Sequence, residues 1–344
     1  MIKENIIEYA KNILNIDAIG FCKPEIPTED LTNYREYLAK KNYNDMLWLK
    51  TRQALREDPK SLMPSAKTAI VLGVNYNKSI KSEKDFQISE YADQQEDYHL
   101  WVYHKAKNLA TYLKQIYGAN SRYFVDSAPI LEKVLAKQTS IGWQGKHTCI
   151  VSPKFGSWLF LAVVLTDIEI STDTPSKDYC GKCTKCLDAC PTGALTPYKL
   201  DVKKCISYLT IEHKTAFPED MISKLDNKVF GCDDCISACY FNKFSTPTKH
   251  HITQNNTNFP KDLISFLLLK EDDFKLVFKN TPLQRTGYTA LLRNVLIALL
   301  NTSVNLEINK KAIYKLIALC SHNNLDIKKL ALKNLNYFLS KNIL

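Results

Sequence analysis

The stretch CGKCTKCLDACPTGAL (180–195) decides how this chain is read. Cys180, Cys183, Cys186 and Cys190 stand as C-x2-C-x2-C-x3-C, and Pro191 follows. Three thiolates this close wrap one face of an iron–sulfur cube, while the fourth, set off by three residues, points to a neighbouring cube. Downstream lie Cys232, Cys235 and Cys239 as C-x2-C-x3-C, and Cys205 falls between the two sets. Eight of the eleven cysteines fall from Cys180 to Cys239, enough for two complete [4Fe–4S] sites. The crossed assignment gives Cys180, Cys183, Cys186 and Cys239 to one cluster, and Cys190, Cys205, Cys232 and Cys235 to the other. Paired C-x2-C elements also suit tetrahedral zinc, but zinc needs two pairs rather than a triplet plus one. Cys22, Cys149 and Cys320 read as small apolar residues.

Outward from this segment, the 344 residues divide by pattern. Residues 1–60 read as mainly helical. SAKTAIVLGVNYN (65–77) predicts a strand, 78–98 a polar loop, and YHLWVYHKAKNLATYLKQIYG (98–118) a helix stopped by Gly118. SRYFVDSAP (121–129) predicts a strand and turn, followed by a helix with Pro129 in its first turn. GKHTCIVSPKFGSWLFLAVVLTDIEI predicts two strands joined by a Pro-Lys-Phe-Gly turn. This alternation suggests an α/β domain over 1–175. A ferredoxin-like module with two clusters occupies 176–245, although its second half lacks the triplet and has Tyr240 where proline would follow. Beyond a polar stretch (246–258), residues 259–344 show helical periodicity alone, as in an all-α HEAT-like domain.

The longest apolar run, Trp158–Leu165, is far too short to cross a membrane. The first residues, MIKENIIEYAKNIL, form an amphipathic helix rather than a signal peptide, which implies a cytoplasmic protein. Net charge is +10, and residues 260–344 hold 13 Lys+Arg against 6 Asp+Glu. A basic end domain favours a polyanion such as nucleic acid, although a Lys-rich surface alone gives the same arithmetic. No G-x-G-x-x-G follows the first strand and no P-loop is present, so a nicotinamide or nucleotide site has no support.

Five blocks, in order, resemble the epoxyqueuosine reductase family: FVDSAPILEKVLA (124–136), IGWQGKHTCIVSPKFGSWLFLA (141–162), CGKCTKCLDACPTGAL (180–195), CISYLTIEHK (205–214) and FGCDDCISACYFN (230–242). TPLQRTGYTALLRNVLIAL (281–299) resembles that family's helical tail. The resemblance implies a cobalamin-binding domain fed by the two clusters. It implies reduction of the epoxide of epoxyqueuosine, at the wobble position of tRNA, to the alkene of queuosine. It places the proton donor at Asp126, a residue that local pattern reads equally well as a helix N-cap before Pro129. Such an acid needs a raised pKa, with burial against the corrin as the expected cause. Cobalamin contacts are expected from Arg56, Asp126, Ile150, Ser152, Leu161, Ser207, Asp233 and Asp234, with backbone groups of the 145–158 hairpin meeting corrin amides. The alternative for each is a purely structural job. His147 is not expected to ligate cobalt. Lys214, Arg285 and Arg293 are the expected tRNA contacts. The implied partners are the modified tRNA and a low-potential electron donor, acting on a monomer away from any membrane.

Two other functions share parts of this pattern. A reductive dehalogenase shares the corrinoid and the two clusters, but has no reason for a basic helical tail. A ferredoxin-type electron carrier fused to an RNA-binding module needs neither a corrin nor the SAP-to-GSW block.

Overall fold

The computed structural model describes residues 1–78, 84–94, 96–250, 259–302 and 308–340. Part of the 78–98 loop and most of the 246–258 stretch therefore lie outside the described residues. The chain forms two compact units, Met1–Ser79 with Asp97–Val202 and Asp234–Ile252, and Ile80–Glu96 with Lys203–Asp233 and Thr253–Leu344. The expected boundaries at 175 and 245 do not coincide with these units. The chain passes from one to the other more than once, and the cysteine-rich segment is shared between them.

The first unit is built on four strands: β1 (Ala18–Cys22), β2 (Thr68–Asn75), β3 (Ser121–Phe124) and, later in the chain, Leu159–Thr166. Between the last two lie β4 (Trp143–Gln144) and β5 (Ile150–Val151), which makes Leu159–Thr166 β6. The sheet order is β1-β2-β6-β3. TAIVLGVN in β2 is buried along its whole length, as a central strand covered on both faces must be. Every pairing in this sheet is antiparallel, with Ile70 opposite Val164 and Tyr123 opposite Val164 from the other side. The alternation suggests an α/β sheet and leaves its strand directions open; they are antiparallel here. Alternation counts elements, whereas strand direction depends on which strands become neighbours. The strand β1 also lies inside the segment expected to be helical.

Helix α1 (Tyr98–Tyr117) follows its sequence signals closely. The Asp97 carboxylate accepts the His99 N–H at its start, and Gly118 adopts φ 68° at its end. Val102, Ala106, Leu109 and Leu113 recur on one face and pack it against β3 and β6. On the opposite side of the sheet, Phe124, Val163 and Leu165 join Cys22, Ile130 and Leu135 in an apolar layer. The helix expected after Pro129 is shorter than its pattern. It runs only from Glu132 to Ala136 (α2), and its N-cap is Leu131.

The segment read as one hairpin across 145–166 is split. The strand β5 pairs with β4, whereas β6 joins the main sheet. Between them, Ser152 and Gly156 exchange backbone bonds of 2.8 and 2.9 Å. Gly156 has φ 58°, and the Ser157 N–H beside it donates to Asn242 Oδ1 at 2.6 Å.

The second unit is helical, apart from a parallel pairing of Gln87–Ile88 with Lys228–Phe230. Its helices include α3 (Tyr288–Thr302), α4 (Lys310–Leu319) and α5 (Leu325–Ser340), all three near their expected limits. Residues Ala290 to Leu299 of α3 are buried all round, which marks it as the central helix. Asn294 sits wholly buried in it, and its Nδ2 donates to Thr210 O at 2.8 Å and Val229 O at 3.0 Å.

A Cβ on residue 156 would run into Asn242 Oδ1 and add a left-handed strain. Gly156→Ala is therefore expected to cost about 2–4 kcal/mol, read as a lower urea midpoint at unchanged slope.

Candidate active site and cluster-binding segment

Asp126 occupies the turn that follows β3, with φ 49°. It caps no helix, since α2 begins beyond Leu131. The capping explanation for this residue is therefore removed, and its carboxylate faces other partners. Asp126 Oδ2 accepts from Tyr98 Oη at 2.9 Å and lies 3.0 Å from His99 Nε2. The other ring nitrogen of His99, Nδ1, is 2.5 Å from Asp97 Oδ1. Burial disfavours charge on His99, but hydrogen bonds to Asp126 and Asp97 outweigh it and push the pKa up to about 9. At neutral pH His99 is thus an imidazolium held between two carboxylates. Tyr98 is fixed by stacking on Phe160 of β6, with centroids 4.1 Å apart and planes within 2°. The Asp126 side chain stays 49% exposed, so its carboxylate is open to a substrate.

A carboxyl with a raised pKa does exist here, but it is Glu132. Burial, and then the charge of Asp126, lift it to about 8. Its Oε1 is buried with no hydrogen-bond partner among the described residues. Next to it, Lys133 Nζ stands 3.9 Å from Cys149 Sγ. Sequence reasoning missed Asp97, Tyr98, His99 and Glu132. The DYH triplet read only as a helix start, and Glu132 only as one residue on a helix face.

Of the other expected cofactor contacts, Arg56 lies near enough to Glu132 for its charge to act on that carboxyl. Ile150 and Leu161 join the apolar layer that also contains Phe124 and Leu135, below the Asp126 turn. Ile150 stands in register with Gln144 and Leu161 with Gly73, and the Ser152 backbone is tied to Gly156. Arg56 is buried, donates from Nη1 to Thr51 O at 2.5 Å, and lies over the Trp48 ring. In the second unit, Ser207 lies on the short helix Ile206–Ile211. Asp233 there accepts from Ser89 Oγ at 2.5 Å and from the Glu90 N–H at 2.6 Å. Asp234 opens the short helix Asp234–Ser237.

The cluster segment is assembled from residues far apart in sequence. Burial raises the Cys186 thiol, and the charges of Cys239, Cys180 and Cys183 raise it further. Cys239 of the downstream set thus lies with the upstream triplet. Trp143 Nε1 donates to Cys180 Sγ at 3.4 Å, and Lys146 Nζ donates to Gly181 O at 2.7 Å and Cys183 O at 2.9 Å. His147 is buried. Its Nδ1 accepts the Cys149 N–H at 3.2 Å, and its Nε2 faces Ser157 Oγ at 3.3 Å. Burial opposes ionisation of Cys239, but a hydrogen bond from His147 and backbone N–H groups outweigh it and favour the thiolate. At Cys190, too, burial is outweighed, here by the Thr192 hydroxyl and nearby backbone N–H groups.

The three expected tRNA contacts are engaged inside the second unit. Arg293 is buried. Its guanidinium donates to Leu209 O at 2.8 Å, Thr215 O at 2.8 Å and His213 O at 3.0 Å, and burial lowers its pKa to about 10. Lys214 Nζ donates to Thr286 O at 2.7 Å, Ile211 O at 2.9 Å and Arg285 O at 3.3 Å. Their donors satisfy carbonyls, among them Leu209 and Ile211 at the end of the Ile206–Ile211 helix, where such oxygens lack intrahelical partners. Arg285 pairs with Glu212 at 2.7 Å and keeps a side chain 46% exposed.

Residues 179–242 match a family profile described as a 4Fe-4S double cluster binding domain, and 56–127 one described as Epoxyqueuosine reductase QueG, DUF1730. The chain is 34% identical to an epoxyqueuosine reductase of Leadbetterella byssophila, over 84% of this chain and 97% of that protein. It is 35% identical to the Escherichia coli K12 epoxyqueuosine reductase, over 82% of this chain and 78% of that protein. The fold superposes on epoxyqueuosine reductase from Streptococcus thermophilus with a TM-score of 0.86 at 27% identity, covering 98% of this chain and 90% of that one. A crystal structure of epoxyqueuosine reductase with a tRNA-Tyr epoxyqueuosine-modified stem loop matches with a TM-score of 0.85 at 28% identity, covering 97% and 89%.

The Glu132 pKa lies above its ordinary 4.5, so the stability of its neutral form is whole below about 4.5 and is lost as pH rises through about 8. Glu132→Gln keeps the shape and cannot ionise. It is expected to be more stable than the parent at pH 9 by ~1–3 kcal/mol, and equal to it at pH 4.5, by thermal melts at both values.

Proposed function

The chain belongs to the epoxyqueuosine reductase family, and on that premise we propose how its own residues carry the reaction. The protein reduces epoxyqueuosine in tRNA to queuosine. An epoxide becomes an alkene, two electrons and two protons enter, and water leaves. The observation that carries the residue assignment is the Asp126 carboxylate, exposed at a turn and held by Tyr98 and the His99 imidazolium.

Asp126 hands a proton to the departing oxygen, because an alkoxide is a poor leaving group near neutral pH. His99, 3.0 Å away, holds one up to about pH 9 and returns it to Asp126. Asp97 keeps the imidazole charged and oriented, and Tyr98 fixes the carboxylate. Cobalamin is the proposed cofactor, and when bound it supplies electrons at cobalt to the strained ring. The orphaned Oε1 of Glu132 fits such a guest, since a neutral buried acid can exchange hydrogen bonds with a corrin amide. Ile150 and Leu161 give that region its apolar floor. Cys180, Cys183, Cys186 and Cys239 hold one [4Fe–4S] cluster, and Cys190, Cys205, Cys232 and Cys235 the other. A cytoplasmic location suits a tRNA substrate.

Cells lacking this protein are expected to accumulate epoxyqueuosine in tRNA. Wild type should restore queuosine and Asp126→Ala should not; restoration by Asp126→Ala would remove Asp126 from the chemistry. With purified enzyme, Asp126→Asn is expected to lower kcat by about 10²–10⁴-fold. Because the His99 pKa is raised, its proton is present at neutral pH and lost through about 9, so kcat should fall on that alkaline limb. His99→Gln should abolish the limb and lower the plateau; a limb that persists in His99→Gln excludes His99 as the proton source.

A further inference from the structure

We propose that the surface beside the Cys180–Cys183–Cys186–Cys239 cluster is the docking face for an acidic one-electron carrier protein, the immediate reductant of this enzyme. The inference rests on the cluster reading above. Electrons must enter from outside, and an entry point needs a cluster edge near solvent and a surface that recognises the donor. Cys183 is an exposed ligand, whereas Cys186 is buried. Next to them is a connected group of rings. Trp143, whose N–H binds Cys180 Sγ, lies 5.2 Å from Tyr179 and 4.9 Å from Phe241 between centroids. Phe241 leads to Tyr240 at 5.8 Å, and Tyr240 to Phe244 at 5.1 Å. The outer members are open to water: Tyr179 is 57% exposed, Tyr240 55% and Phe244 65%. Contiguous exposed aromatic surface of this kind marks an interaction site.

Charge selects the occupant. Residues 177–188 and 240–249 carry five lysines against two aspartates. Both aspartates are already engaged: Asp178 by Tyr198 Oη at 2.5 Å and the Cys180 N–H at 2.7 Å, and Asp188 by Thr184 Oγ1 at 2.8 Å. The cations frame the rings. Lys185 Nζ lies 5.9 Å from the Tyr240 ring centre, and Lys243 Nζ 5.6 Å from that of Phe244. An apolar centre within a positive rim fits a small acidic protein that carries its redox group near its surface, such as a flavodoxin or a plant-type ferredoxin. Such encounters are small, weak and steered by charge. In each encounter the carrier is oxidised by one electron and the cluster reduced by one, and no bond forms or breaks.

The test is stopped-flow reduction of the oxidised, cluster-loaded enzyme, followed by its iron–sulfur absorbance. Reduced flavodoxin is the protein donor and dithionite the small-molecule control. The flavodoxin rate is expected to fall steeply with salt. Lys185→Glu with Lys243→Glu should lower the ratio of flavodoxin rate to dithionite rate by about tenfold or more at low salt, with the loss disappearing at high salt. Taking the ratio cancels any general damage to the cluster. An unchanged ratio overturns the proposal. So does a salt-independent flavodoxin rate, or a loss of tRNA affinity at unchanged ratio, which would give the patch to RNA. A protein isolated without iron–sulfur absorbance would instead defeat the cluster reading beneath it.

Discussion

Four thiols from two separate stretches have to meet at one place, and much of the first unit is arranged around that requirement. Cys239 reaches Cys180, Cys183 and Cys186 only because the segment after β6 and the segment before Thr253 pack on a common frame. That frame is the β4–β5 ribbon. Trp143 and Lys146 donate to the thiol and carbonyls of the Cys180–Cys183 loop, while His147 supports Cys239. Hydrogen bonds to cluster sulfurs and to the loop around them are a lever on cluster potential. The same Trp143 starts the chain of rings that reaches the surface. One short ribbon thus joins the proposed cluster ligands to the proposed face for electron entry.

The acid site rests on a different piece of electrostatics. The chemistry needs a proton source at neutral pH, and the expected route was a buried aspartate with a high pKa. The protein separates the two demands. In the proposed reaction Asp126, which is exposed, delivers the proton, and His99, whose charge two carboxylates stabilise, retains it. Glu132, with its buried orphan oxygen, is the carboxyl that burial raises. Burial raises Glu132 and hydrogen bonds to carboxylates raise His99, two different causes acting near one turn.

In the second unit, the basic tail has two kinds of cation. Arg293 is an interior cation that satisfies carbonyls of residues 209–215, whereas Lys214, an exposed residue, donates to carbonyls of Ile211 and Thr286 at the surface. Burying the Arg293 guanidinium is tolerable only because its donors are used, by backbone oxygens and Asn294 Oδ1. Counting lysines and arginines cannot separate such a buried cation from the exposed cations that attract a polyanion. Arg285, paired with Glu212 yet largely open, lies between the two kinds.

By itself, the sequence determined the local features. Ligand spacing identified the two clusters, Gly118 marked the end of α1, and the apolar periods placed α3, α4 and α5 within a few residues. These depend on contacts within a turn or two, so pattern is sufficient. The resemblance of five ordered blocks carried the activity. Tertiary structure alone decided that the sheet is antiparallel, that α2 starts too late for Asp126 to cap it, and that Tyr98, His99 and Glu132 surround that carboxylate. It also decided that Arg293 points inward while Lys214 stays at the surface. Each of these depends on which distant segments become neighbours, and on how much water that packing removes from a charged group. Neither quantity is written in the spacing of residues along the chain.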